Sequence, residues 1–159
     1  HAFSLFPQDM NITQQVVIII ADDDVGHARL IEKNLRRAGL SNVIQRYENG
    51  QEVLDFFFRR GLGPHRQKDT AYLLMLDIRM PKVDGVEALR QIKEDASLRK
   101  LPVIMLTTTD DPREIERCHL LGCNSYVVKP VDYDSFADAI AQLGMFVSLV
   151  KVPEIKDQN

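Results

Sequence analysis

The sequence predicts an α/β fold in which five parallel strands form a doubly wound sheet in the order 2-1-3-4-5. Five short apolar runs alternate with segments whose apolar residues recur at helical spacing. The runs are unbroken rather than alternating, which indicates strands that are buried on both faces. Most of them end in acidic, hydroxyl or basic side chains, and such groups meet at the carboxyl edge of a parallel sheet.

The predicted strands are the apolar runs themselves, each bounded by polar or turn residues. They are Val16–Ala21, Asn42–Tyr47, Tyr72–Leu76, Pro102–Thr107 and Ser125–Val128. Asp77 follows the third run, and three successive threonines form the exit of the fourth. Pro130 ends the fifth strand and restricts the preceding Lys129 to extended backbone.

Helical periodicity follows each strand. The first helix runs from Val25 to a glycine stop at Gly39, the fourth from about Pro112 to Leu121, and the last from about Tyr133 toward Val147. The second and third are predicted from the spacing of their apolar residues, which are Val53, Leu54, Phe57 and Phe58, and Val86, Leu89 and Ile92. Residues 59–71 are polar and broken by glycine and proline, which predicts an exposed loop, or else a basic contact for a partner.

The length of 159 residues suits one domain. We expect an N-terminal extension at 1–15, the domain at 16–143 and a C-terminal extension at 144–159. The chain begins at His1, and Met10 is the expected native start. A net charge of -3 gives no indication of nucleic-acid binding, and no apolar stretch approaches the length of a membrane span. Without a secretory signal, we expect a cytoplasmic protein.

Neither the cysteines nor the histidines show the spacing of a metal site. Cys118 and Cys123 are expected to be reduced thiols with packing roles. The four histidines are scattered and are expected on the surface or on helices, with a site role for His27 as the minor alternative. A metal in this protein would therefore have oxygen ligands.

Acidic residues follow two strands that the predicted order makes neighbours. Asp22 and Asp23 come after the first strand and Asp77 after the third, so their carboxylates are expected to converge. Like charges at such a distance either raise a pKa or recruit a cation. Oxygen ligands favour Mg²⁺, with Mn²⁺ as the alternative. Asp24, directly before a helix, is interpreted as a helix cap.

The other side of the expected pocket carries Lys129 and Thr107, which end the fifth and fourth strands. A metal, a lysine and a hydroxyl together neutralise the oxygens of a transferring phosphoryl group. Asp77 is then the expected nucleophile, which forms an acyl phosphate. A dehalogenase-type phosphatase would need a second acid where Arg79 stands, and the phosphate-binding loop of nucleotide hydrolases is missing from the sequence.

These motifs resemble the receiver domain of bacterial two-component response regulators, which has the flavodoxin-like arrangement. The resemblance spans about Val16 to Leu143 and rests on five motifs in the right order. They are Asp22-Asp23, Leu76-Asp77-Ile78-Arg79-Met80-Pro81, Asp84-Gly85, Thr107 and Tyr126-Val127-Val128-Lys129-Pro130.

The resemblance implies a role for each acidic residue. Asp77 would take a phosphoryl group from a phosphohistidine on a sensor histidine kinase. Asp23 and Asp77 would bind Mg²⁺ directly, Asp22 would help through water, and the backbone carbonyl of Arg79 would complete the protein ligands. The protein would act as a phosphorylation-dependent switch with self-catalysed phosphoryl transfer rather than as an enzyme.

The resemblance also implies how the switch works. Thr107 and Lys129 would bind phosphoryl oxygens, and Tyr126 would turn inward as Thr107 moves toward the phosphate. The alternative for Tyr126 is an exposed aromatic at a sheet edge without a switching role. Thr108 is larger than the residue usual beside the switch threonine, which predicts restricted access and slow autodephosphorylation. Arg79 is expected to pair with the phosphate or with an acidic neighbour, Asp110 or Asp111.

The expected output is protein contact by a stand-alone regulator. The loop after the second helix and the C-terminal tail are similar to those of small regulators that partner bacterial phytochrome kinases. The tail is rich in apolar residues between Met145 and Val152, which predicts a homodimer contact, or else a tail that folds back on its own core. The alternative function is a receiver-like binding module that is never phosphorylated.

Overall fold

The computed structural model describes residues 16–129, 134 and 155–157. Within these ranges the chain forms five strands and four helices in alternation. The strands are β1 (Val16–Ala21), β2 (Ile44–Tyr47), β3 (Ala71–Asp77), β4 (Val103–Thr107) and β5 (Ser125–Val128). The helices are α1 (Val25–Arg37), α2 (Gly50–Phe58), α3 (Gly85–Glu94) and α4 (Pro112–Leu121).

The strands form one parallel sheet in the order β2-β1-β3-β4-β5, which confirms the predicted fold class. Ala21 of β1 lies beside Leu76 of β3, so the residues that follow them, Asp22 and Asp77, leave the sheet side by side. Across β4, Thr107 pairs with Val128, directly before Lys129. The register therefore collects acidic, hydroxyl and basic groups at one edge.

Both faces of the sheet are covered, as the unbroken apolar runs predict. Every residue of β3 is buried. One face packs against α2, α3 and α4, and the other packs against α1. Burial of a side chain such as Leu74 stabilises the fold by about 1.5–3 kcal/mol. This packing holds the strand ends, and hence the site, on a rigid base.

Each described helix begins with a side chain that accepts a hydrogen bond from its own first turn. The predicted cap Asp24 accepts from the backbone N–H of His27 at 3.0 Å, which confirms its role at the start of α1. The other caps are Asn49, Asp84 and Asp111. α1 ends at Arg37, slightly before the predicted stop, and Gly39 has a φ of +93°.

Gly85 allows the start of α3 to press against the end of β3. A Cβ atom at this position would lie 2.1 Å from the backbone oxygen of Asp77, so a larger residue would displace one of the two segments. The N–H of Gly85 donates to the carbonyl of Ile78 at 2.7 Å. The loop after Asp77 is thus fixed from both ends.

The described C-terminal residues dock on the loop between α2 and β3. Ile155 is buried in the core, and Asp157 accepts hydrogen bonds from Arg59 at 3.1 Å and from Arg66 at 3.0 Å. We call Arg59, Arg66 and Asp157 the C-terminal clamp. Residues 155–157 thus contact the core of their own chain, whereas the apolar segment between Met145 and Val152, for which the two alternatives were stated, lies outside the described residues.

Other predictions about the ends of the chain fall outside the described residues. These are the N-terminal extension and most of the last helix and tail, although Asp134 is helical. None of the described helices is long and apolar enough to cross a membrane. Cys118 and Cys123 are buried free thiols, as expected.

Candidate functional site

Three carboxylates meet where β1 and β3 end. One ligand oxygen from each of Asp22, Asp23 and Asp77 lies within 4.8 Å of the other two. Asp22 is fully buried, Asp77 is 7% exposed, and Asp23 is exposed. The convergence expected from the strand order is therefore present, and the cluster opens to solvent on the side of Asp23.

Lys129 brings a positive charge to this cluster from the end of β5, which is separated from β3 by β4. Its Nζ atom lies 2.5 Å from Oδ2 of Asp22 and 3.5 Å from Oδ1 of Asp77. Its backbone N–H donates to the carbonyl of Thr107, which ties the lysine to the end of β4. The ammonium is largely buried and thus interacts with the carboxylates more strongly than it would in water.

Burial raises the pKa of Asp77 from 3.8 to about 6. Lys129 opposes this shift because its charge favours the carboxylate, whereas Asp22 and Asp23 add to it by repulsion. Asp77 is therefore more basic than an ordinary aspartate, yet it remains mostly ionised at pH 7. These properties suit a carboxylate nucleophile.

Thr107 is buried at the end of β4, next to β3. Its Oγ1 accepts a hydrogen bond from the backbone N–H of Thr109 at 3.2 Å. Thr108, between them, is exposed at the rim of the site. The two threonines thus have different surroundings, and their roles stay predictions.

Tyr126 points toward the loop that follows β4. Its hydroxyl donates to the backbone oxygen of Thr109 at 3.0 Å, and its ring packs against the core. Burial raises the pKa of Tyr126 to about 12, opposed by a side-chain hydrogen bond with Thr107. The side chain is half-buried rather than exposed at the edge, whereas its switching role stays a prediction.

Arg79 is exposed after Asp77 and lines a cavity of about 550 Å³ between α3 and α4. The expected pairing with Asp111 does not occur, because Asp111 caps α4 and contacts Arg113 at 3.4 Å. Within the ranges that the structure describes, Arg79 likewise forms no ion pair with Asp110. The predicted use of the Arg79 carbonyl as a metal ligand stays a prediction.

His27 joins the site although the sequence favours a surface role for it. Its Nδ1 atom lies 3.2 Å from Nζ of Lys129. The contact depends on a residue 102 positions away, so sequence periodicity could not reveal it. A weaker signal was available, because the first turn of a helix after β1 lies at the carboxyl edge of the sheet.

The donor set fits a hard divalent cation. Carboxylate oxygens are the ligands that Mg²⁺ and Mn²⁺ prefer, and no His or Cys joins this cluster in the described part of the chain. Three carboxylates face a single ammonium, which leaves negative charge for a cation to neutralise. Asp22, Asp23 and Asp77 are the residues that would hold it.

Comparison with known proteins places these observations in a family. The family model of the response regulator receiver domain matches residues 18–141. A curated relative is the probable methanogenesis regulatory protein FilR2 of Methanothrix harundinacea, which is 31% identical over 128 residues, or 80% of each chain.

Solved structures of response regulators are also similar to this chain. A response regulator receiver domain from Rhodospirillum rubrum is 45% identical with a TM-score of 0.76, and the match covers 89% of this chain and 99% of that one. The bacteriophytochrome response regulator RtBRR is 35% identical with a TM-score of 0.72, and the match covers 86% of this chain and 82% of the other. The chain therefore belongs to the response regulator receiver domain family, which implies phosphorylation on an aspartate in two-component signalling.

Proposed function

We propose that this protein is a response regulator that accepts a phosphoryl group on Asp77 from a sensor histidine kinase and signals through protein contacts. One observation carries the proposal: Asp77 ends β3 with Lys129 at 3.5 Å and two further carboxylates in the same cluster. The family supports an aspartate as acceptor, and Asp77 has the raised pKa and the basic partner that a nucleophile requires.

The proposed transfer is a displacement at phosphorus. A carboxylate oxygen of Asp77 forms the new bond to phosphorus, and the bond to the donor nitrogen or oxygen breaks with its electron pair leaving on the donor. The ammonium of Lys129 lies near enough to donate to an oxygen of the transferred group. This contact stabilises negative charge as it develops and keeps it stabilised in the acyl phosphate.

Asp22, Asp23 and Asp77 are proposed to hold Mg²⁺, with Mn²⁺ as a substitute. The bound cation would supply positive charge to the phosphoryl oxygens. The chain itself provides the carboxylates, and it orients Asp22 by two contacts: Oδ1 accepts from the N–H of Asp24 at 2.9 Å, and Oδ2 accepts from Lys129. Asp22 is thus fixed before any ligand binds.

Thr107 and Tyr126 are proposed to couple phosphorylation of Asp77 to the conformation of the protein surface. Both contact Thr109, Thr107 through its hydroxyl and Tyr126 through its own. A movement of Thr107 toward the phosphoryl group would disturb the loop that Tyr126 holds, which offers a two-state element at the surface.

The direct test is incubation of the wild type and Asp77→Asn with acetyl phosphate and Mg²⁺, followed by mass spectrometry. We expect the wild type to gain one phosphoryl group at Asp77 and to lose this gain in EDTA. Asp77→Asn should gain none, because an amide cannot form the acyl phosphate. If the wild type shows no mass gain that depends on Asp77, the alternative function remains, which is a receiver-like binding module that is never phosphorylated.

The proposed kinase is of the phytochrome type. The likeness to the bacteriophytochrome response regulator RtBRR supports it. The test is phosphotransfer from a purified bacteriophytochrome kinase under red and far-red light, with a kinase that has no light sensor as control. Equal transfer from both kinases under both lights would contradict this choice of partner.

We also propose a homodimer made through the apolar tail between Met145 and Val152, which lies outside the described residues. Truncation would remove the C-terminal clamp as well, so substitution in the full chain is the cleaner test. Phe146→Glu should convert a dimer to a monomer in sedimentation, whereas Asp157→Asn should leave the dimer intact. A Phe146→Glu protein that sediments as a dimer would remove this segment from the contact.

A further inference from the structure

His27 lies in the first turn of α1, at the mouth of the site. Its side chain is 45% exposed, and its Nδ1 atom is 3.2 Å from Nζ of the buried Lys129. His27 is not among the three residues that form the carboxylate cluster, which are Asp22, Asp23 and Asp77. Its only close contact with the site is therefore with the ammonium, within the part of the chain that the structure describes.

Asp24 contacts the backbone of His27 rather than its imidazole ring. Oδ1 of Asp24 accepts from the backbone N–H of His27 at 3.0 Å. The other carboxylate oxygen, Oδ2, is 4.0 Å from Nδ1, which is too far for a hydrogen bond. Asp24 thus holds the backbone of His27 and leaves Nδ1 available to Lys129.

The contact with Lys129 requires a particular tautomer. An ammonium group donates hydrogen bonds and cannot accept them. Nδ1 of His27 must therefore accept, and the ring proton must lie on Nε2. The imidazole faces Lys129 as a neutral acceptor.

We propose that His27 is a positioning residue for Lys129. The ammonium has three N–H donors, and it has three acceptors around it. Asp22 lies at 2.5 Å, His27 at 3.2 Å and Asp77 at 3.5 Å. His27 is the uncharged member of this set, and it aligns the ammonium between Asp22 and Asp77.

A neutral acceptor has an advantage at this position. A carboxylate would add a further negative charge and compete with Asp77 for the ammonium, whereas an apolar side chain would leave one N–H of Lys129 unpaired. The inference rests on the proposed function, because the group for which Lys129 is positioned is the phosphoryl group on Asp77.

The kinetic test compares the rates at which acetyl phosphate and Mg²⁺ phosphorylate three variants and the wild type. His27→Leu removes the acceptor and should slow the reaction about three- to tenfold. His27→Asn places an amide oxygen where Nδ1 was and should restore the rate to within about twofold. Leu30→Asn, on the exposed side of the same helix, should react like the wild type.

A second readout does not depend on phosphorylation. In ¹⁵N spectra of the labelled full chain, His27 should show an unprotonated Nδ1 and a protonated Nε2. The Nδ1 resonance should shift when Lys129→Met removes the ammonium. A merely structural role for His27 would not couple this resonance to Lys129.

Three results would overturn the inference. They are a wild-type rate for His27→Leu, a His27→Asn protein as slow as His27→Leu, and a His27 whose Nδ1 is protonated or insensitive to Lys129→Met. If the wild type itself gains no phosphoryl group at Asp77, the proposed function fails, and the nitrogen spectra alone decide on His27.

Discussion

The site and the C-terminal clamp are both ion-pair clusters, but their charge balance is opposite. In the site, one ammonium faces three carboxylates, whereas in the clamp two guanidinium groups face one carboxylate. Both clusters join parts of the chain that are distant in sequence. The two clusters differ in the groups that pair with their excess donors or acceptors.

The clamp pairs two of its guanidinium donors with neutral backbone oxygens. Nε of Arg66 donates to the carbonyl of Phe57 at 2.8 Å, and Nε of Arg59 donates to the carbonyl of Arg66 at 3.2 Å. Guanidinium groups have five donors, so carbonyls can pair them without a further ion. Such a cluster holds two segments of the chain together.

The site has fewer donors for its acceptors: among the described residues, only Lys129 and the backbone N–H of Asp24 donate hydrogen bonds to its carboxylates. Carboxylates only accept, and Asp23 makes no hydrogen bond with any described residue. Lys129 is shared between Asp22 and Asp77. An excess of negative charge with few donors would favour a divalent cation, whereas part of the clamp's excess is paired with carbonyls of the chain.

The largest expected effect breaks the site and leaves the clamp intact. Lys129→Met removes the single ammonium, so phosphorylation by acetyl phosphate should slow about 100-fold or more, as the loss of one electrostatic stabiliser typically does. The measurement is the time course of mass gain in Mg²⁺. Lys33→Met, exposed on α1, is the matched control, and equal rates for the two variants would contradict a role for the buried charge.

Breaking the clamp should change stability and spare the chemistry. Arg66→Met leaves the carbonyl of Phe57 without its donor, which should lower the free energy of unfolding by about 1–3 kcal/mol. Urea unfolding measures this, and Arg60→Met, a half-exposed neighbour, serves as control. The phosphorylation rate should stay within about twofold of the wild type. A large loss of rate would show that the clamp is coupled to the site.

In EDTA, a rise in pH should lower the stability that Asp77 contributes at the site and raise the stability that Asp157 contributes in the clamp. Because the folded pKa of Asp77 is about 6, above its ordinary 3.8, the native state holds this proton more tightly and loses stability as pH rises between these values. Asp77→Asn should therefore be more stable than the wild type by about 1–2 kcal/mol above pH 6, after allowance for solvent screening, and equal to it below about pH 4.

The clamp supplies the other half of this contrast. Burial alone would raise the pKa of Asp157, but hydrogen bonds from Arg66 and Arg59 outweigh it and lower the pKa. Its contribution is present above the ordinary value of 3.8 and is lost as pH falls below it. Asp157→Asn should thus destabilise the protein at neutral pH and not at low pH. The contrast would be contradicted if both variants were more stable than the wild type at neutral pH, or if both were less stable.

The smallest expected effect concerns Thr108, which is exposed at the rim of the site. Thr108→Ala should let water reach the acyl phosphate more easily and speed its loss about threefold, equivalent to roughly 0.7 kcal/mol in the barrier. Loss of the phosphoryl mass with time measures it, with Thr70→Ala as control. A wild-type half-life of seconds would contradict the predicted slow autodephosphorylation.

The residues of the site could be predicted because each ends or directly follows a strand. Unbroken apolar runs located the strands, and the order of parallel strands brought Asp22, Asp77, Thr107 and Lys129 to one edge. Local chemistry was equally predictive at Asp24, whose short acidic side chain before a helix became its cap. These features depend on patterns within a few residues.

The clamp and the contact of His27 could not be predicted in this way. Arg66 and Asp157 are 91 residues apart, in a loop and a tail that have no periodic pattern. His27 is one of four scattered histidines, and its partner Lys129 is brought to it by the whole sheet. The pairing of Asp111 with Arg113 was likewise missed, because a choice among exposed charges depends on loop geometry.

Hydrophobic periodicity and strand ends are local properties of the chain, and they were enough to predict the fold class, the strand order and the identity of the acidic cluster. The partners of Lys129, the raised pKa of Asp77 and the docking of the C-terminal residues became apparent in the folded chain alone. The physical reason is that burial and distances between charges exist only after packing, and electrostatic interactions depend strongly on both.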